Sequence, residues 1–220
     1  MPQSARLLEL KKRLTVIRRH LLPADLSATG SYSPRILDRT RGYRVLVHAE
    51  FEAYLEDRCW AVVTSATQQW KVDKQPRHVL MALLARCGPA TSSDQSLEER
   101  IGKAGNNYYH SIQQNHGIRE SNLVSLLQPI GIELTDLDGT WVSTVDSFGV
   151  ARGEVAHNAI GAQKPIDPLT ELKTVKQVCD GFRDLDAVIN SLKIDFRAAA
   201  PLPTAFSESL TCALSTRYCV

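Results

Sequence analysis

The strongest constraint on the fold of this chain is the spacing of its apolar residues, which recur three or four positions apart in one segment after another. From about Pro34 to Gln69, the stripe Ile36, Tyr43, Val47, Phe51, Tyr54, Leu55, Val62 fits one face of a single long helix. Pro34 falls in its first turn, where a missing N–H is no loss. Residues 4–20 read as a basic amphipathic helix on Leu7, Leu10, Leu14, Ile17 and Leu21, ended by Pro23. A short buried helix is expected over 77–87, stopped by Gly88-Pro89. Ser92, Ser93 and Asp94 can cap a segment carrying Leu97 and Ile101. The polar stretch Gly105–Gly117 reads as a loop or irregular helix, and Asn122–Leu127 as a short helix closed by Pro129 and Gly131.

Farther on, Leu134, Leu137, Trp141, Val145, Phe148, Ala151 and Val155 follow one another at gaps of 3, 4, 4, 3, 3 and 4, which suit a helix and not a strand. Trp141–Val145 is the one piece where a strand competes, and Gly139 and Gly149 weaken the helical reading. Asp167-Pro168 caps a last helix with Leu172, Val175, Val178, Phe182, Leu185, Ile189 and Leu192 on its core side. The expectation is an all-α bundle: a basic N-terminal helix and loop over 1–33, a helical domain over 34–195 and a tail over 196–220.

Charge and composition remove several classes of function. The 220 residues suit one domain with an ordinary core, and no apolar run approaches the ~20 residues needed to span a bilayer. The N-terminus lacks the apolar core of a secretory signal, so a cytoplasmic location away from membranes is expected. Five cysteines without C-x-x-C spacing argue against a disulfide framework or a zinc site, and neither metal nor cofactor is expected. The net charge of +2 conceals ten Lys/Arg against three acids in residues 1–48. That basic third could draw in a polyanion or could be only a solvated helix face. No G-x-S-x-G elbow, phosphate-binding G-x-x-x-x-G-K-[ST] loop or H-E-x-x-H helix is present.

Two constellations remain. Arg152 and His157 are five residues apart in Arg152-Gly153-Glu154-Val155-Ala156-His157-Asn158, the one Arg-x4-His spacing in the chain. A guanidinium forks onto phosphate oxygens, and an imidazole passes protons near neutral pH. On a regular helix, positions five apart diverge by about 140°, so the two converge only if the helix ends or distorts between them, and Gly153 and the following Asn158–Pro165 stretch are the expected places. The alternative is a helix-terminal charge and a cap. The second constellation is His48-Ala49-Glu50-Phe51-Glu52-Ala53-Tyr54-Leu55-Glu56. Glu52 shares a helix face with His48, and a partly buried carboxylate there needs a partner such as Arg152, or His48 itself.

These stretches, in order, resemble the HEPN (higher eukaryotes and prokaryotes nucleotide-binding) superfamily, most nearly its RiboL-PSP-HEPN branch. Arg152–His157 is similar to the R-x4–6-H signature. Glu52-Ala53-Tyr54 looks like the pattern of the first core helix. Asn115-His116-Gly117-Ile118 with Leu126-Leu127-Gln128-Pro129-Ile130-Gly131-Ile132 resembles the connection "HGI … LLxPLGI". The likeness covers about residues 40–195.

The resemblance implies a HEPN-like helical bundle and a metal-independent endoribonuclease acting on single-stranded RNA. It also implies a homodimer in a toxin–antitoxin or phage-defence setting, where an antitoxin or defence-complex protein is a partner. Arg152 and His157 would be catalytic, with Glu52, His48, Glu154 and Asn158 in support. Gly153 departs from the polar residue common after the arginine, a position that Glu154 and Asn158 could cover. Ala159 stands where some toxin members carry a modifiable tyrosine. The alternative is a noncatalytic HEPN module that binds RNA, nucleotide or a protein partner.

Overall fold

A computed structural model describes residues 2–27, 29–89, 96–157 and 165–192, with the side chains of Ala156 and His157 excepted. Among these residues every regular element is helical. The α-helices are α1 (Ala5–Leu21), α2 (Pro34–Asp73), α3 (His78–Arg86), α4 (Leu97–Gln113), α5 (Glu120–Leu127), α6 (Gly139–His157) and α7 (Pro168–Ser191). Single 3-10 turns lie at Gln128–Ile130 and Leu134–Asp136.

At 40 residues α2 is about 60 Å long, and it touches each of the other six α-helices. Cross-links fix the directions. Arg6–Asp57 and Arg13–Glu50 pair α1 antiparallel to α2, and Lys74–Glu98 with the Trp60–Tyr109 ring contact does the same for α4. α6 also runs antiparallel, whereas α7 runs parallel from Arg44–Glu171 to Arg58–Asp186. The core is centred on Phe51, whose ring lies 5.9 Å from that of Phe148 and 4.9 Å from that of Phe182. Trp141 closes one side at 5.4 Å from Phe182 and donates its indole N–H to the Val178 carbonyl. Gly181 makes room for it: a Cβ there would fall 2.0 Å from the indole Cδ1.

Three expectations change. Gly105–Gly117 is a loop only beyond Gln113: α4 continues that far because Ala104, Tyr108 and Ile112 are buried at four-residue intervals and the polar residues form its outer face. The cap of α4 is Ser96, in a reciprocal capping box with Glu99; Ser92, Ser93 and Asp94 lie outside the described residues. Trp141–Val145, where a strand competed, is helical as the apolar spacing expected, with Trp141, Val142 and Val145 buried together. Leu134 and Leu137 precede α6, in and just after a 3-10 turn. The tail over 196–220 lies outside the described residues.

A buried polar knot joins the first and last helices. Asp186 accepts hydrogen bonds from Ser4 N (2.8 Å), Ser4 Oγ (2.6 Å) and the Tyr54 hydroxyl (2.9 Å). Arg58 Nε lies 3.0 Å from Asp186 Oδ1 but off the line of a hydrogen bond, so the two meet as charges. Arg58 Nη2 donates to Asn190 Oδ1 at 2.7 Å. Burial alone would raise the Asp186 carboxyl, but the Ser4 and Tyr54 hydrogen bonds and the Arg58 charge outweigh it and hold it below the ordinary range. Asp186→Ala leaves the Arg58 charge unpaired inside the protein, with an expected loss on the order of 3–5 kcal/mol in urea unfolding. Replacing both by apolar residues (Arg58→Met with Asp186→Leu) should recover most of it; a double variant as unstable as Asp186→Ala would contradict this.

Candidate functional site

His48, Glu52 and Glu56 follow one another at successive turns of α2 and so form a slanting ridge on one flank. α6 covers the His48 end of that ridge. Phe148 stacks on the His48 ring at 6.3 Å and 23°, and Arg44 Nη1 donates to the Ala151 carbonyl at 3.3 Å. Arg44 also forks onto Glu171, with Nε to Oε1 at 3.0 Å and Nη2 to Oε2 at 2.5 Å, so α2, α6 and α7 are tied together beside Arg152.

The α4–α5 connection covers the other end. Asn115 Nδ2 donates to Glu56 Oε1 at 2.8 Å and to the Gly117 carbonyl at 3.0 Å, and Asn122 Nδ2 donates to Asn115 Oδ1 at 3.0 Å. Ile118 is buried directly after this loop, while His116 is exposed. The start of α5 then locks onto α6: Arg119 Nε and Glu120 N both donate to Asp146 Oδ1, at 3.2 and 3.1 Å. Gly149 is the condition for that approach, because a Cβ there would lie 2.8 Å from Arg119 Cγ. These ties hold the α4–α5 connection and α6 together over one flank of α2.

Arg152 lies one turn beyond Gly149 on α6. Its Nε is buried and finds no hydrogen-bond partner among the described residues, and the same holds for His48 Nδ1. Burial, reinforced by the Arg152 charge, pushes the His48 imidazole down to about 4. At neutral pH His48 is therefore uncharged. Its 3.7 Å separation from Glu52 Oε2 is neither an ion pair nor a hydrogen bond. Burial, then repulsion from Glu56, raises the Glu52 carboxyl; the Arg152 and His116 charges oppose this. Arg152 and His116 thus both act on Glu52 through their fields.

His48, Glu52 and Arg152 are therefore brought close enough for the Arg152 charge to act on both of the others. The break expected at Gly153 does not occur: α6 stays helical through His157, and positions 152 and 157 are about 140° apart around its axis. Glu154 is half-buried on α6. The His157 side chain and Asn158 lie outside the described residues. The sequence reading gave no role to Asn115, His116, Arg119 or Glu56, although the stretch containing His116 supported the family resemblance. The signal was an Asn-His-Gly run at a helix end, where polar residues without periodicity must be held by long-range bonds.

Two clefts lie elsewhere, one of about 380 Å³ beside Trp141 and Asp180 and one of about 330 Å³ beside Trp60 and Trp70, and neither is lined by a histidine. Among the described residues no set of His, Cys, Asp and Glu side chains is placed to hold a metal ion, and no helix is long and apolar enough to cross a membrane. No family model, curated protein or solved structure matches the chain.

His48 gives a pH dependence of known sign. Between pH 6.5 and about 4 the unfolded chain binds a proton that the folded site refuses, so stability falls as pH drops through that window. The total is about 3 kcal/mol, and His48→Gln should remove that part of the slope in urea titrations. An unchanged slope in the variant would contradict it. Two of the three glycines of α6 should differ as well. Gly149→Ala is expected to cost about 1–3 kcal/mol by forcing Arg119 away. Gly153→Ala, whose Cβ would meet nothing within 4 Å, should gain about 0.5–1 kcal/mol. Equal thermal shifts for the two would contradict the close approach.

Proposed function

We propose that the chain is a HEPN-type endoribonuclease that cleaves single-stranded RNA without a metal ion. The observation carrying this reading is Arg152: a guanidinium on α6 whose charge acts on His48 and Glu52, with its Nε buried and unpaired among the described residues. A free N–H donor on a fixed positive charge suits a phosphodiester oxygen, and its hold strengthens as charge accumulates on the five-coordinate phosphorus of the transition state. RNA brings its own nucleophile, the 2′-hydroxyl. Proton removal from that hydroxyl accompanies formation of the O2′–P bond, the P–O5′ bond breaks, and a proton goes to the departing 5′-oxygen. The products are a 2′,3′-cyclic phosphate and a 5′-hydroxyl.

His48 is a poor proton donor for this step, since it is neutral and pushed down to about 4. His157 is the proposed proton-transfer residue. Glu52, His48, Glu154 and Asn158 support it and the guanidinium, with Glu52 helping to fix Arg152 by its charge. A homodimer acting in the cytoplasm, in a toxin–antitoxin or defence setting, fits the family resemblance.

The test is cleavage of a labelled oligoribonucleotide in EDTA by wild type, Arg152→Ala and His157→Ala. Wild type should leave 2′,3′-cyclic phosphate ends, and each variant should lose roughly 10²-fold or more in rate. A DNA oligonucleotide should be inert. Binding without cleavage would favour the noncatalytic module, and equal activity in all three proteins would remove both residues from the mechanism.

A further inference from the structure

The row of side chains that carries His48, Glu52 and Glu56 along α2 does not end at Glu56. Its next members, Trp60 and Thr64, line the cleft of about 330 Å³ between α2 and α4. That volume suits a small flat group. The cleft exists because α4 carries glycines where it faces α2: a Cβ at Gly102 or Gly105 would meet nothing within 4 Å. Trp60 stands toward one end, its ring 4.9 Å from that of the exposed Tyr109. Trp70 stands about 15 Å farther along α2, with Lys74 Nζ 5.8 Å from its ring centre.

The polar groups of this cleft lack protein partners. Thr64 Oγ1 and Trp70 Nε1 are buried with no hydrogen bond. The Gln68 and Asn106 amides are exposed, and among the described residues neither is hydrogen-bonded. Lys74 is paired with Glu98 at 3.2 Å, whereas Lys71 has no ion pair among the described residues. Aromatic faces, amides that both donate and accept, and an unpaired ammonium are the groups that hold an unpaired nucleobase and its phosphate. An acyl chain would leave the amides unanswered, while a base also brings the acceptor that the Trp70 N–H lacks.

We infer that this cleft takes an unpaired base of the RNA strand. This rests on the ribonuclease reading above, which supplies the strand. Arg152 acts on Glu52, and Trp60 lies eight residues, about 12 Å, farther along α2. A strand whose phosphate is held at Arg152 therefore reaches the cleft with a base near the scissile linkage. The base stacks on Trp60, its edge meets Asn106 and Gln68, and Lys71 takes a phosphate. Every base has a ring face, so the amides and not the tryptophans set which base is preferred.

The test follows tryptophan fluorescence during titration with a single-stranded 2′-O-methyl oligonucleotide, which lacks the attacking hydroxyl, and with an abasic strand of equal length. Wild type should show saturable quenching with the base-bearing strand and little with the abasic one. Gly102→Leu and Gly105→Leu fill the cleft from positions whose Cβ meets nothing. Each should bind the base-bearing strand roughly 10–100-fold more weakly and the abasic strand as wild type does. Asn106→Ala should alter the order of affinity among oligo(A), oligo(C) and oligo(U). Unchanged affinity of the glycine variants for the base-bearing strand, alongside cleavage by wild type, overturns this inference alone. Equal losses on both strands also overturn it, because the fold would then be disturbed. Free nucleotides that quench as tightly as the strand overturn it too, since the cleft would be a nucleotide site. Quenching by the strand without cleavage supports the cleft and fails the ribonuclease reading. A wild type that binds neither strand overturns both.

Discussion

Everything in this molecule is arranged around the burial of α2. A helix of 40 residues with buried side chains on several sides, from Tyr43 through Phe51 and Tyr54 to Val63, cannot exist alone in water. It needs neighbours around most of its circumference, and the other six helices supply them. The aromatic cluster of Phe51, Phe148 and Phe182 sets the distances, and the ion pairs along α1, α4 and α7 set the register. One flank of α2 is left between α6 and the α4–α5 loop, and there the sequence places His48, Glu52 and Glu56 where a packed interface would want apolar residues.

That exception gives the site its chemistry. Arg44, bonded to the Ala151 carbonyl and forked onto Glu171, fixes the part of α6 next to Arg152, while the tie between Arg119 and Asp146 fixes the start of α5. Gly149 lets Arg119 approach α6 closely. The same low-polarity surroundings that suppress protonation of His48 also leave the Arg152 Nε without competition from bulk water. Fixed donors in such a place stabilise developing charge more than flexible ones, because little reorganisation is needed when the charge appears.

The helices were largely legible in the sequence because each core face repeats every three or four residues: α1, α2, α3 and α7 lie within a few residues of where the apolar spacing puts them. α4 was half hidden. Its contacts at Ala104, Tyr108 and Ile112 are separated by Asn, Gln and His, and only the protein-wide packing shows that those are the outer face. The glycines misled for a related reason. Gly149 and Gly153 read locally as helix breakers, but α6 is held on both sides, and Gly149 serves a close approach that no local pattern announces. Arg152, His48 and Glu52 could be named from residue type and spacing. His116 could not be weighed in the same way, because its place depends on Asn115 reaching Glu56 across 59 positions of sequence.

The central claim is that the Arg152 guanidinium receives an RNA phosphate, and its own nitrogen reports on that directly. The measurement is the 15Nε–Hε resonance of Arg152, identified by its loss in Arg152→Lys, during titration with an oligoribonucleotide made uncleavable by a 2′-deoxy sugar at the scissile position. A saturable shift of that resonance is expected, larger than those of exposed arginines such as Arg18 and Arg35. An Arg152 signal that stays fixed while the surface arginines move would contradict the claim.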